Sequence, residues 1–357
     1  MATGSYRLLN RNTSADPVPI ESGLQDAVQY RHSSIQEQKR NMVLDSAAKK
    51  WLRHCFGRNV TFDELMSKHT SLRVGGPAEA YVTPETSEDL IKLVGWSWEN
   101  GLPYLVIGDG TNLLVKDNGI DGIVIKLKKC LNSISQANGG KGDVVVTAMA
   151  GARMHALCRF AITNGLEGMN FALGIPGTVG GGIMMNAGTS YGWVADVLDA
   201  ITVLQASGYT RRIGRKKLNF SYRSLSWENE ENRDDHGQPI ILDGCFILKP
   251  SEPQQLKKEA DAILDKRRKS QPIDSPSAGC FFKNPASGKS AGELIELAGL
   301  KGTSIGGAAI SPKHANFIIN RGKATAKDCL DLMELVQKAV AKKFNINLEA
   351  EVKIVGS

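Results

Sequence analysis

The order of apolar and polar positions divides the chain into stretches of different kinds. Residues 1–45 are polar, rich in Ser, Gln, Asn and Arg and without a sustained period, which predicts a disordered extension. Residues 47–56 set Trp51, Leu52 and Cys55 on one side of a short amphipathic helix. A strand at 79–82 leads to a helix begun by Thr86 or Ser87, with Glu88 and Asp89 in its first turn, where the helix dipole favours acids. The buried face of that helix reads Leu90, Leu93, Val94 and Trp98. Strands at 104–107 and 122–127 follow, so the opening unit alternates strand and helix as α/β units do.

Further on, the β-branched run 143–149 alternates, and residues 152–164 bring Met154, Leu157, Cys158, Ala161 and Ile162 onto one helical face. Segments 195–205 and 240–248 read as strands, separated by a basic stretch ending at Arg223 and an acidic loop at 228–239. A long charged helix at 254–269 predicts a link to a new unit. That unit holds a helix at 291–298, a strand at 317–319 and a helix capped by Thr325, with Leu330, Met333, Val336 and Val340 facing inward. The chain closes on a strand at 348–355, and no repeat of fixed period occurs.

Two glycine-rich breaks interrupt this pattern. The first, Gly108-Asp109-Gly110-Thr111-Asn112, lies between a strand and the apolar pair Leu113-Leu114. The second, Gly174-Ile175-Pro176-Gly177-Thr178-Val179-Gly180-Gly181-Gly182, holds five glycines and a proline in nine residues. Its apolar continuation at 182–185 fits a helix start or a buried strand, and Asn186-Ala187-Gly188 follows. Glycine reaches positive φ and lets a ligand approach the main chain, and its bare N–H groups can form an anion-binding concavity. One such run alone is most simply a tight packed turn; two in one chain suit a large ligand with an internal pyrophosphate. Neither is a P-loop, and Leu113 stands where a dinucleotide fingerprint needs its third glycine.

These two loops resemble the flavin loops of the MurB family, the UDP-N-acetylenolpyruvoylglucosamine reductases. Four further segments resemble the family's motifs in the same order. They are His69-Thr70-Ser71-Leu72-Arg73-Val74-Gly75-Gly76-Pro77, Tyr222-Arg223-Ser224, Ser277-Ala278-Gly279-Cys280-Phe281-Phe282-Lys283-Asn284-Pro285, and Leu348-Glu349-Ala350-Glu351-Val352 with Gly356. In the second, the serine comes one position early and Leu225 takes its usual place. The resemblance spans residues 69–356. It implies an α+β fold with a PCMH-type FAD-binding domain of two subdomains, at 46–126 (joined by a C-terminal strand at 346–357) and 127–250. A linking helix and smaller substrate domain then occupy 251–345.

The activity implied is NADPH-dependent, FAD-mediated reduction of UDP-N-acetylglucosamine enolpyruvate to UDP-N-acetylmuramate, a step of peptidoglycan precursor synthesis. FAD would be held non-covalently, since neither glycine loop offers a histidine or cysteine for attachment. The resemblance assigns it to Arg73, Gly75, Gly76, Gly108, Asp109, Gly110, Thr111, Asn112, Leu113, Gly174, Ile175, Pro176, Gly177, Thr178, Gly180, Gly181, Asn186, Ala187 and Gly188. Tyr222, Lys283 and Asn284 are the matched substrate ligands. Only about a dozen residues separate Trp227 from Ile240, with no tyrosine among them, which matches the family form lacking an inserted tyrosine loop.

The catalytic positions carried over are Arg223, Cys280 and Glu351. Adding hydride to the enolpyruvyl methylene carbon builds negative charge on the neighbouring carbon and its carboxylate, which calls for a cation, hydrogen-bond donors and a proton source. Arg223 stays charged and can hold a carboxylate bidentately. Cys280 replaces the serine of many members; a thiol of reference pKa about 8.5 is mostly protonated at pH 7 and can donate. Glu351 helps an anionic intermediate only if its pKa is raised or it orients a donor. In a strand, Glu349 would share its face and is the rival carboxyl. His69, His314 and Asn316 read as structural or supporting residues.

Composition narrows the alternatives. No apolar run is long enough to span a membrane, and no charged-then-apolar leader pattern is present at the N-terminus. Six scattered cysteines without a Cys-x-x-Cys pair suit reduced thiols, and a cytoplasmic monomer is expected. The dispersed histidines give no metal-ligand spacing, so no metal is expected. The net charge of +7 does not by itself choose a partner: the basic residues are not interleaved with aromatics in one patch, and a phosphorylated small substrate accounts for a basic cleft as well as nucleic acid would; no nucleic-acid partner is expected. A flavin oxidase of an alcohol or hydroxy acid, sharing the FAD fold, is the alternative enzyme; it would not need Arg223, Cys280 and Glu351 together. A catalytically inactive nucleotide-binding module is the alternative from another class.

Overall fold

The structure, a computed structural model, describes residues 44–140, 142–227 and 238–357. Of the extension expected to be disordered, residues 1–43 lie outside the described ones, but Leu44 and Asp45 do not. Leu44 is buried and donates its N–H to the Glu79 carboxylate, and Asp45 accepts from the N–H of Ala48 to cap the first helix. That helix, α1 (Ser46–Phe56), buries Ala48, Leu52 and Phe56. Its Trp51 stacks on Trp96 with centroids 3.9 Å apart.

The first sheet contains β1 (Val60–Leu65), β2 (Pro77–Val82), β3 (Tyr104–Ile107) and β5 (Ile120–Lys126), in the order β1-β2-β5-β3. The pairings of β5 with β2 and β3 are parallel, as the strand–helix alternation requires. Between them lie α2 (Ser87–Glu99) and the short β4 (Leu113–Val115). Thr86 and Asp89 form a capping box on α2, a device worth about 1 kcal/mol. Trp98 does not join the buried face as expected and is 37% exposed. Leu90, Leu93 and Val94 are continued by Ser97, one turn on, which is buried because its hydroxyl donates to the Leu93 carbonyl at 2.7 Å.

A second sheet runs β12-β11-β15-β7-β6, all antiparallel. In chain order its region comprises β6 (Ile134–Gly140), β7 (Asp143–Met149), α3 (Met154–Thr163), β8 (Leu166–Glu167), α4 (Val179–Met184), β9 (Gly188–Thr189) and β10 (Gly192–Trp193). It continues with α5 (Val194–Val197), β11 (Leu198–Leu204), β12 (Thr210–Gly214), β13 (Leu218–Ser221), β14 (Ser224–Trp227) and β15 (Ile240–Pro250). Strand β6 has no hydrophobic alternation, being exposed along most of its length, and was not expected from the sequence. The strand expected from residue 195 starts at Leu198, because the Asp196 carboxylate accepts the Trp193 N–H at 2.8 Å and closes a helical turn first. Most of the acidic loop, residues 228–237, lies outside the described residues.

The last unit opens on α6 (Pro253–Ser270). It then builds a sheet β16-β19-β18-β17 from β16 (Ser277–Cys280), β17 (Ser304–Ile305), β18 (Ala308–Ile310) and β19 (Phe317–Asn320). Helices α7 (Ala291–Leu297) and α8 (Ala326–Phe344) share one core with this sheet, centred on Phe281, Phe282, Leu294, Ile318 and Val336. The closing strand is shorter than expected: β20 (Lys353–Val355) pairs in parallel with β4 as a separate two-stranded sheet and packs Val355 against the core of the first unit. Residues 348–352 instead lie against the Cys280 loop, making a single bridge between Ala350 and Phe282.

Candidate functional site

The two glycine loops touch. A Cβ on Gly108 would stand 2.3 Å from the Thr178 hydroxyl, and one on Gly177 would stand 2.8 Å from the Thr111 hydroxyl. Only glycine permits this approach, and Gly177 also has φ +111°. The residues after the second loop form α4, which settles the helix-or-strand alternative, with the Thr178 hydroxyl accepting from the Gly181 N–H as N-cap. Among the described residues, the N–H groups of Gly108 through Asn112 and of Gly174, Gly177 and Thr178 reach no protein acceptor. Unspent N–H groups converging from two tight turns fit an anionic ligand such as a pyrophosphate. Beside them Asp109 contacts Lys126 and Arg153, each at 3.6 Å.

Asn112 turns from the first loop toward the C-terminal segment. Its amide donates to the Glu351 carbonyl at 3.2 Å, and its own carbonyl accepts from the Lys353 N–H. Glu351 faces Arg223, with Oε1 2.7 Å from Nε. Arg223 occupies the two-residue turn between β13 and β14 with φ +59°, a strained conformation for a non-glycine residue and one that concentrates at functional sites. Its guanidinium also lies over the Tyr222 and Trp193 rings, 5.1 and 5.3 Å from their centroids. The close contact with Glu351 is not directed as a hydrogen bond: the buried Nε–H has no aligned partner among the described residues. Burial pushes the Glu351 carboxyl above the ordinary carboxylate range, against the opposing pull of Arg223.

Cys280 ends β16 after a register shift and Gly279 at φ +77°, which turn the thiol away from the strand's regular alternation. Burial pushes the thiol up to about 12; Glu351 adds to the rise, and the charges of Arg223 and Arg267 oppose it. Cys280 is therefore a thiol, not a thiolate, throughout the neutral range. The N–H of Glu351 donates to the Phe281 carbonyl at 2.8 Å, so the cysteine loop and the glutamate segment are bonded main chain to main chain.

A sequence profile described as the C-terminal domain of UDP-N-acetylenolpyruvoylglucosamine reductase matches residues 271–355, and one described as an FAD binding domain matches residues 78–214. The UDP-N-acetylenolpyruvoylglucosamine reductase of Desulfosudis oleivorans is 45% identical over 88% of this chain and all of its own length. That of Geobacillus kaustophilus is 42% identical over 85% of this chain and 95% of its own. The chain belongs to this family. The crystal structure of MurB from Thermus caldophilus superposes with a TM-score of 0.66 at 36% identity, covering 82% of this chain and 97% of that one.

In this MurB-family chain the structure brings some of the matched residues together and turns others to packing roles. Glu349, the rival carboxyl, points outward: its side chain is 77% exposed and pairs with Lys283 at 3.2 Å. Glu349 and Glu351 are not in a strand, so the shared face expected of them does not exist. Asn186 spends its amide on the Ser221 carbonyl and its oxygen on the Ala195 N–H, holding the base of the Arg223 hairpin. Gly188 lends its carbonyl to Arg223. Gly75 and Gly76 pack against Val115 and Asp117, where a Cβ would collide. Arg73 takes φ +57° and its carbonyl is held by Asn320. Tyr222 accepts from the Asn284 N–H at 3.4 Å, while the Asn284 side chain accepts from the Ala291 N–H at the start of α7.

Arg267 is the residue that sequence reasoning missed. It sits near the end of the charged helix expected only to link two units, yet its guanidinium packs over Gly174, 2.7 Å from where a Cβ would stand, and its charge reaches Cys280. Burial pulls its own pKa down. The signal was position: Arg267 is one turn beyond buried Ile263, on the inner side of α6.

Proposed function

We propose that Arg223, Glu351 and Cys280 carry out the reduction of UDP-N-acetylglucosamine enolpyruvate to UDP-N-acetylmuramate, with FAD bound non-covalently by the two glycine loops and NADPH as reductant. The observation that supports this most is the convergence of a half-buried arginine, a carboxyl of raised pKa and a half-buried thiol of raised pKa beside those loops. FAD held by the two glycine loops would supply the hydride chemistry, between NADPH and the methylene carbon of the substrate. The chain's own residues handle the charge and the proton. Arg223 receives the enolpyruvyl carboxylate through the guanidinium N–H groups that its bond to the Gly188 carbonyl leaves over. The arriving carboxylate adds negative charge beside Glu351 and drives its pKa higher still, so that it can donate a hydrogen bond to the developing enolate. Cys280 then gives its proton to the α-carbon, and the resulting thiolate is neutralised by the nearby arginines before solvent restores the proton.

Tyr222 and Trp193, whose rings lie against Arg223, and Lys283 and Asn284, which follow the Cys280 loop, suit the sugar and phosphate portions of the substrate. We read the chain as acting as a monomer in the cytoplasm; its six cysteines are unpaired, and no helix among the described residues is long and apolar enough to cross a membrane. The oxidase alternative lacks a use for the Arg223–Glu351–Cys280 cluster. NADPH consumption measured with and without the enolpyruvyl sugar nucleotide tests the reading. Turnover strictly dependent on the sugar nucleotide, with one product formed per NADPH, is expected. Oxygen-driven turnover of an alcohol with no response to the enolpyruvyl sugar would replace it with the oxidase.

A further inference from the structure

Asn316 is 3% exposed and immediately precedes β19, next to the cysteine loop, where ordinary strand pairing stops. Cys280 is the last residue of β16 and pairs with Phe317. Immediately afterwards the main chain changes partner, and Phe282 and Lys283 lie against Ala350 and Glu349. At this crossing the side chain of Asn316 stands in for a strand residue. Its amide donates to the Phe282 carbonyl at 2.8 Å, its oxygen accepts from the Phe282 N–H at 3.0 Å, and its own carbonyl accepts from the Phe281 N–H at 2.9 Å. The Asn316 N–H is in turn donated to Nδ1 of His314 at 3.2 Å. Burial keeps His314 neutral at ordinary pH, so that Nδ1 remains an acceptor.

Both faces of residues 281–283 are therefore bonded, one to Asn316 and the other to residues 349–351. The carbonyl that receives the Glu351 N–H belongs to Phe281, whose own N–H is held by Asn316. Asn316 thus acts at two adjoining peptides: its main-chain carbonyl holds Phe281, which receives the Glu351 N–H, and its side chain fixes both the N–H and the carbonyl of Phe282, and so the direction in which the chain leaves Cys280. An asparagine is needed because it offers both a donor and an acceptor in one plane. Ordinary core packing by Phe281 and Phe282 would hold the loop near its place but would not fix the rotation of its peptide groups.

We propose that Asn316 is a positioning residue that fixes the Cys280 thiol and the Glu351 carboxyl in one register for protonation of the reduced substrate. This rests on the catalytic reading of Cys280 and Glu351 given above. The test compares Asn316→Asp, which keeps size and the acceptor but loses the donor, with Asn316→Ala and Cys280→Ala, each as the FAD-loaded enzyme. Bleaching of the flavin by NADPH and its recolouring by the enolpyruvyl sugar are followed separately by stopped flow. Bleaching and flavin content should stay within about twofold of wild type, while recolouring slows by about 10²-fold in the alanine variant, the order expected of a misplaced donor, and less in the aspartate variant. The solvent deuterium isotope effect on recolouring should rise as proton transfer becomes limiting. In the flavin-free protein, alkylation of Cys280, followed by peptide mapping, should speed up in both Asn316 variants as the loop loosens.

Recolouring at the wild-type rate in Asn316→Asp, or an equal loss in both half-reactions, would overturn the positioning role. The Cys280→Ala arm separates the two levels. Unimpaired recolouring there removes the catalytic reading itself, whereas slow recolouring there with a normal Asn316→Asp removes only the inference about Asn316.

Discussion

Arg223 and Glu351 meet at 2.7 Å across the join between a hairpin turn and the C-terminal segment, both with side chains less than a fifth exposed. The pair is closer than its directionality warrants, since the arginine Nε–H has no aligned acceptor. Burial raises the Glu351 carboxyl even with the guanidinium beside it. Such a pair is costly to maintain: two buried ionisable groups contribute little net stability, and removing one strands the other. The arrangement makes better sense as a site waiting for a third charge.

The titration of Glu351 gives the first prediction. Its pKa is raised in the folded state, so the native protein holds this proton more tightly than the unfolded chain does. Between the unfolded and folded values, stability conferred by this group falls as pH rises. Glu351→Gln removes that dependence. The difference in denaturant midpoint between variant and wild type, measured at several pH values from the acid side to neutrality, should move in the variant's favour as pH increases. A constant difference would mean that Glu351 is not perturbed.

Arg223→Lys keeps the charge but loses the planar fork and the contacts with the Trp193 and Tyr222 rings. Bleaching of the flavin by NADPH should change little. Recolouring by the enolpyruvyl sugar should fall by about 10²–10³-fold, the scale of a lost donor to developing negative charge. Equal losses in the two half-reactions would point to a damaged hairpin instead.

Cys280 behaves differently from what its residue type alone suggests. A free thiol at its reference pKa of about 8.5 would make the substrate half-reaction fall as pH rises through that value. Burial moves the thiol up to about 12. The Cys280-dependent step should therefore stay flat from about pH 7 to pH 10. Cys280→Ser should retain more of it than Cys280→Ala, because a hydroxyl in that place still donates. The flavin recolouring rate against pH for the three proteins is the measurement. An alkaline fall in wild type that vanishes in Cys280→Ser would show the thiol to be far less shielded than the structure has it.

How much of this was written in the sequence depends on the range of each interaction. The α2 cap, the α8 cap and the β7 alternation are local signals, and each was readable within a few residues. The glycine loops were readable because only glycine tolerates the approach of Gly108 to Thr178 and of Gly177 to Thr111. Trp98 was misplaced since at the edge of an apolar stripe a buried serine with a local acceptor can outcompete a larger ring. Strand β6 was invisible because its residues are exposed and polar, and only its partner β7 makes it a strand. The motif singles out Glu351, but its difference from Glu349 lies in contacts with Asn112, Phe281 and Arg223, all distant in sequence. Arg267 was hidden inside a basic run whose burial is decided by the Gly174 loop, more than ninety residues away.

The glycine loops carry the last prediction. Gly108→Ala places a Cβ 2.3 Å from the Thr178 hydroxyl, and Gly177→Ala combines a 2.8 Å collision at Thr111 with φ +111°. Either change must push the two loops apart and spoil the concavity of N–H groups between them. Gly214→Ala serves as the control, since its Cβ would meet nothing within 4 Å and its φ is ordinary. The proteins should fold, because the collisions are at loops rather than in the sheets. The first two should purify with much less FAD and with a weakened Kd on titration with added FAD, and Gly214→Ala should keep the wild-type content. All bound flavin should be released into the supernatant on acid precipitation, as no covalent link is made. Full FAD occupancy in Gly108→Ala would show that the loops give way without loss of the ligand, and the cradle would then have to lie elsewhere in the chain.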